Sequence, residues 1–187
     1  LSVTYVNPLL DRGPDPWAIL NGDTYYYMHT MQDSLVLWKT KDITDLRQAE
    51  KKTVWIPKEE SNRYHLWAPE IHRIDDKWYI YYAADDGNTD NHQLYVLENK
   101  NPDPFDGEFV MKGRVSTDPD NNWAIDGSVF ENKGKLYIVW SGWQTRRVDT
   151  ETQCIYIAEM KNPWTLGSER VLISRPELEW ERHYVNE

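Results

Sequence analysis

Two aspartates and a glutamate occupy matching places in an internal repeat. Asp15 heads the run Asp15-Pro16-Trp17-Ala18-Ile19-Leu20, which passes through Asn21-Gly22-Asp23 into Thr24-Tyr25-Tyr26-Tyr27-Met28. Asp126 heads Asp126-Gly127-Ser128-Val129-Phe130, which passes through Glu131-Asn132-Lys133-Gly134 into Lys135-Leu136-Tyr137-Ile138-Val139-Trp140. Between them Ala68-Pro69-Glu70-Ile71-His72-Arg73-Ile74 leads through Asp75-Asp76 into Lys77-Trp78-Tyr79-Ile80-Tyr81-Tyr82. With Tyr26, Tyr79 and Tyr137 in one column, Asp15, Ala68 and Asp126 each fall eleven residues earlier. The heads are 53 and 58 residues apart, and a next head 53 to 61 residues past Asp126 reaches Glu187, which lies 61 beyond it. Carboxyl groups brought together from separate strands can take opposite parts in acid–base chemistry. One gives a proton from its neutral form while another, ionised, receives one.

The elements that would bring them together are short strands. The first repeat continues with Leu35–Thr40 and Thr53–Ile56. The second continues with Leu94–Leu97, the turn Asn101-Pro102-Asp103-Pro104 and a strand from Phe109 to Val115. The third continues with Ile155–Ala158, the turn Asn162-Pro163-Trp164 and Arg170–Ile173. Gly, Pro, Asn and Asp cluster between these runs, as turn chemistry requires. Only Leu46 to Lys52 has room for a helical turn. Four short strands at a period near fifty predict an all-β fold, a β-propeller of four-stranded blades. About three blades are expected, at about residues 13–60, 66–118 and 124–178, with a fourth beginning at 185–187. A sandwich could hold twelve strands, but would not explain one turn grammar used three times. In a propeller the first strand of each blade lines the axis, so the strand heads meet at one end of the channel.

Composition narrows the function classes. The 187 residues carry a formal net charge of −10, which argues against nucleic acid or an anionic membrane as partner, since either must be met with Lys and Arg. No apolar run approaches the length of a membrane span, so a soluble protein is expected. Cys154 stands alone and reads as a small strand residue, which excludes an internal disulfide. His29, His65, His72, His92 and His183 show no metal-ligand spacing. Ten Trp and twelve Tyr suit strands, and also suit flat platforms for sugar rings.

The residues resemble glycoside hydrolase family 43, the five-bladed β-propeller arabinofuranosidases, xylosidases and arabinanases. The stretches that carry the resemblance are Asn7-Pro8-Leu9-Leu10 with Pro14-Asp15-Pro16, Trp67-Ala68-Pro69-Glu70 running into Lys77–Tyr82, Ile125-Asp126-Gly127-Ser128, Trp140-Ser141-Gly142-Trp143 and Val185-Asn186-Glu187. Their order and spacing agree along the whole chain. In the family the Asn-Glu motif runs on into Gly-Pro and two more blades. The resemblance therefore implies the N-terminal three blades of a longer propeller, completed by a C-terminal part or by a second chain.

The resemblance implies Asp15 as general base, Glu187 as general acid, and Asp126 as the residue that orients Glu187 and holds its pKa up by like-charge repulsion. It implies inverting hydrolysis of terminal pentoses on plant cell-wall oligosaccharide or polysaccharide. An α-L-arabinofuranosidase acting on arabinan or arabinoxylan is expected first. A β-xylosidase of the same family and a non-catalytic carbohydrate- or protein-binding propeller stay open beside it. Trp67 is expected to wall a sugar subsite, with Trp17 and Trp143 as weaker candidates; each could equally be a core residue. Glu70 is expected to pair within its blade. No cofactor is required by this chemistry, and an axial metal ion would belong to the complete propeller. A secreted or periplasmic setting is preferred to a cytoplasmic one.

Overall fold

Alternating and fully apolar runs set two kinds of strand here. β1 (Trp17–Asn21) alternates half-buried and exposed residues, whereas β6 (Lys77–Asp85) and β7 (Gln93–Asn99) are buried along almost their whole lengths. A strand covered on both faces needs a layer on each side. The computed structural model, which describes residues 5–145 and 152–182, supplies those layers. Its first sheet runs in the order β1, β2 (Thr24–Met28), β3 (Leu35–Thr40) and β4 (Glu50–Trp55). The second runs β5 (Tyr64–Ile74), β6, β7 and β8 (Val110–Val115). The third runs β9 (Ala124–Asn132), β10 (Lys135–Gly142) and β11 (Cys154–Asn162). Two short strands, β12 (Thr165–Leu166) and β13 (Val171–Ser174), share the outer edge of β11. All strand pairings are antiparallel and, apart from β13 on β11, join neighbours in sequence, the meander of a propeller blade. The helical turn expected over Leu46–Lys52 lies earlier, as 3-10 turns within Ile43–Gln48 broken at Asp45, while Glu50–Lys52 belong to β4; the Asp42 side chain caps these turns on the Thr44 N–H.

The core lies between the sheets. Met28, Leu35 and Leu37 of the first sheet pack on Ile71, Trp78, Ile80 and Tyr82 of the second. On its other face the second sheet offers Tyr79, Tyr81, Leu94 and Val96 to Ile125, Val129, Ile138 and Trp140 of the third. Each fully buried large apolar side chain contributes about 1.5–3 kcal/mol. Hydrogen bonds cross the same seams. Trp17 Nε1 donates to Ile71 O at 2.8 Å, and Tyr26 Oη donates to Asp103 at 3.1 Å while Lys39 pairs with the same carboxylate. Tyr81 Oη donates to Pro163 O at 2.5 Å across the second seam.

One local device recurs at the head of each blade. Pro14 O accepts from Thr30 N, and Trp17 pairs with Met28, so three steps on the first strand oppose two on the second. In the second sheet Trp67 pairs with Ala83 and Glu70 with Tyr81. In the third Ile125 pairs with Ser141 and Ser128 with Val139. Each is a β-bulge at the same repeat position, and each holds its head residue in the left-handed region: Asp15 at φ 54°, Ala68 at φ 42° and Asp126 at φ 54°. The Asp126-Gly127 pair is thus a bulge inside a strand. Gly127 allows a close approach of the sheets, because a Cβ there would lie 2.9 Å from Leu94 Cδ1 of the neighbouring sheet and the buried leucine would have to shift. Gly127→Val is expected to destabilise the protein by about 1–3 kcal/mol through overpacking of this seam, read as a lower urea midpoint with unchanged slope.

Candidate active site

The bulges turn the head side chains out of the strand alternation and toward the end of the blades. Asp15 is fixed by a chain of two hydrogen bonds. Thr30 Oγ1 donates to Asp15 Oδ2 at 2.5 Å, and the same hydroxyl accepts from Ala68 N at 2.7 Å. Because a lone pair of Thr30 is taken by the backbone of the next head, its single proton is directed at the carboxylate. One oxygen of Asp15 is so engaged, and among the described residues the other has no hydrogen-bond partner.

Asp126 answers from the third blade. Its pKa is pushed up to about 6, first by the protein crowded around it and then by the negative charges of Asp15 and Glu70. The Asp126 side chain keeps an exposed face, so the crowding comes from the surrounding blades and not from full enclosure. Two carboxylates from two other blades are thus near enough to be felt at Asp126. Glu70 enters this group from the middle blade, whose head is Ala68. It is paired within the blade as expected, accepting from His72 Nε2 at 2.8 Å, and His72 in turn lies against Trp17, ring centroids 4.8 Å apart. Glu187 lies outside the described residues.

The three tryptophans separate by place. Trp67 is half-buried near the second head, its Nε1 donating to Gln32 Oε1 at 3.1 Å and its ring stacked on His92 at 4.0 Å. Trp17 spends its N–H in the seam between the first two blades. Trp143 is 2% exposed and stacked on Trp123 at 5.0 Å, so it offers no face to a sugar; it belongs to the third blade's packing. Thr30 and Glu70 were not expected at the site. The signal for Thr30 was its fixed offset, fifteen residues after its head, where Ala83 and Ser141 stand in the other blades. Among the described residues no group of three or more His, Cys, Asp or Glu is placed to hold a metal ion.

Stacked antiparallel blades whose head bulges bring Asp15 and Asp126 within electrostatic reach of each other define a β-propeller. The chain belongs to glycosyl hydrolases family 43, whose model matches residues 5–187. It is 35% identical to an extracellular exo-α-(1→5)-L-arabinofuranosidase of Streptomyces avermitilis, over 100% of this chain and 40% of that protein. It is 33% identical to α-L-arabinofuranosidase 43 of Humicola insolens, again over 100% of this chain and 40% of the relative. Among solved structures, an α-L-arabinofuranosidase from Lactobacillus brevis superposes with a TM-score of 0.87 at 33% identity, over 95% of this chain and 58% of that one. The chain therefore spans about half the length of the relatives it matches.

The electrostatics make two checkable statements. In the full-length protein, a carboxyl-resolved NMR titration is expected to place Asp126 near 6 and to find it lowered in Asp15→Asn and again in Glu70→Gln. The folded-state pKa lies above the ordinary 3.8, so this group's contribution to stability is complete below about pH 4 and declines as pH rises through about 6. The wild type should accordingly lose urea midpoint relative to Asp126→Asn over that interval. Thr30→Val leaves Ala68 N–H without its acceptor and Asp15 without its donor, and is expected to cost about 1–3 kcal/mol. Thr30→Ser, which keeps the hydroxyl, should retain most of that stability.

Proposed function

We propose that this chain carries the general base and the pKa-tuning aspartate of an inverting glycoside hydrolase that releases terminal arabinofuranose from arabinan or arabinoxylan. The observation that carries the reading is the convergence of Asp15, Glu70 and Asp126 from separate blades, where burial first and the two neighbouring charges second lift Asp126 to about 6. Membership of the family and the names of the relatives support the substrate class. The word extracellular in the Streptomyces name supports a secreted protein. No helix among the described residues is long and apolar enough to cross a membrane.

In this reading Asp15 is the general base. Thr30 holds Oδ2, and the free oxygen takes a proton from the water that attacks the anomeric carbon. Glu187 is the general acid, giving its proton to the leaving oxygen. An inverting pair stands roughly 6.5–9.5 Å apart, which leaves room for the water between base and sugar. Asp126 orients Glu187, and its charge raises the acid's pKa as it ionises. Trp67 is the aromatic wall of the sugar site. Each step uses groups of the chain itself. The product leaves with its anomeric configuration inverted and without a covalent intermediate.

The test compares an aryl α-L-arabinofuranoside with an aryl β-D-xyloside in the full-length protein. Cleavage of the arabinofuranoside is expected to dominate, with the first-formed sugar inverted by NMR. Asp15→Asn should lower kcat by about 10²–10⁴-fold, the usual contribution of a general base. Faster cleavage of the xyloside would reassign the sugar to xylose. A folded protein that cleaves neither would favour a non-catalytic carbohydrate-binding propeller.

A further inference from the structure

The middle blade differs from the others beyond its head. β5 starts four residues before Ala68, while β9 starts two before Asp126 and β1 starts after Asp15. This extra lip pairs with the end of β6, Tyr64 with Asp85 and Trp67 with Ala83, and it holds a second bulge of its own. The residue in that bulge is His65, at φ 49°, again left-handed and again without the excuse of being glycine. A non-glycine residue is uncommon in this region and is held there by the contacts around it.

Those contacts are unusually complete. Asp85 is 0% exposed, and its carboxylate lies 2.9 and 3.0 Å from His65 Nδ1. Gly87 N donates to the same carboxylate at 2.8 Å, and His92 Nδ1 stands 3.1 Å from it. His92 Nε2 donates to His65 O at 3.1 Å, fixing the backbone of the bulge from below. Asp85 occupies the same repeat position as Gln32, 53 residues earlier, and Gln32 holds the indole N–H of Trp67. Equivalent residues of adjacent blades thus pin the two aromatic rings of the lip. With Nδ1 turned into the protein, the His65 side chain is 39% exposed and its Nε2 has no partner among the described residues.

We propose that His65 is a binding residue for the sugar on the leaving-group side of the scissile bond, with Asp85 as its positioning residue. The proposal rests on the glycosidase reading of the carboxylate site and adds to it where the chain of sugars leaves the pocket. His65 lies three residues before the head Ala68 on the bulged lip of β5, at most about 10 Å from it, with its ring 6.1 Å from that of Trp67. In an enzyme that releases a terminal unit, any further sugar held beside the carboxylates belongs to the leaving-group side. The edge of Trp67, whose ring walls the terminal sugar, adjoins His65, whose Nε2 gives one directional polar contact there. A sugar hydroxyl both donates and accepts, so it can pair with Nε2 in either protonation state. The buried Asp85 keeps the imidazole from rotating away, which lowers the ordering cost when the sugar arrives.

The experiment uses two substrates in the full-length protein. The aryl α-L-arabinofuranoside has no sugar on the leaving side; an α-1,5-linked arabinotriose has two. His65→Ala is expected to lower kcat/KM for arabinotriose by about 5–20-fold, mainly through KM, the loss of one hydrogen bond. Cleavage of the aryl substrate should stay within about twofold. His65→Gln, which can offer an amide to the hydroxyl, should recover part of the arabinotriose rate. Asp85→Asn should move arabinotriose KM in the same direction. If Asp85→Asn fails to fold, His65→Ala and His65→Gln decide the matter alone. Parallel loss on both substrates, or no change on either, would overturn the proposal. Wild-type protein inert toward both substrates would instead sink the glycosidase reading. In that event arabinotriose binding, followed by tryptophan fluorescence in wild type and His65→Ala, still tests His65: equal affinity overturns the assignment.

Discussion

A left-handed residue in a bulge at the head of each blade is the constraint on which the site depends. An ordinary strand would send successive side chains to opposite faces of its sheet, into the seams between blades. The extra residue breaks that alternation for one position and re-aims one side chain along the blade end. The cost of holding Asp15 and Asp126 in this conformation is met by contacts around them. The Thr30 hydroxyl ties the first head to the second, and Gly127 lets the third blade close upon Leu94. Placement of the carboxylates is therefore a property of the seams as much as of the strands.

The seams also hold groups together that repel one another. Asp15, Glu70 and Asp126 come from three separate blades, and the charges of the first two add to the effect of burial in raising Asp126 to about 6. Opposing that repulsion are buried aromatic layers and bonds that reach carbonyls, between blades from Trp17 to Ile71, Tyr81 to Pro163 and Trp123 to Thr89, and within the second blade from Trp78 to Pro102. The abundance of Trp and Tyr is explained largely by this. Their apolar bodies fill the space between sheets, and their polar ends close hydrogen bonds that a buried backbone carbonyl would otherwise lack. Such a frame can carry like charges at its rim because the energy is stored in packing far from them.

Legibility followed from how local each feature is. The three-fold strand–turn–strand grammar was readable because turn residues are chosen by their own backbone angles: Asp75-Asp76 and Lys133-Gly134 both sit at positive φ in two-residue turns. Asp15 and Asp126 were readable as heads by their shared offset from a tyrosine column. Thr30, Glu70 and His65 were not, since each matters through a partner on another strand or blade. Trp143 and Trp67 look alike in sequence, both beside a repeat landmark, yet one is stacked inside the wall and the other is half-exposed at the rim. Nothing in a single chain of letters records which side of a seam an indole occupies.

By itself the sequence determined the all-β class, the period, the order of the blades and the identity of two carboxylates at equivalent heads. These depend on periodicity and turn chemistry, which act within a dozen residues. Only the tertiary structure decided that the heads are bulges, that Glu70 joins Asp15 in pressing upon Asp126, and that Asp85 turns His65 outward beside Trp67. Those outcomes depend on distances between segments 20 to 111 residues apart. Such distances are set by how sheets stack and by which strand of each blade reaches the axis. The physical reason is that pKa shifts and side-chain direction respond to neighbours in space, and a repeat in sequence becomes a neighbourhood only when its copies pack.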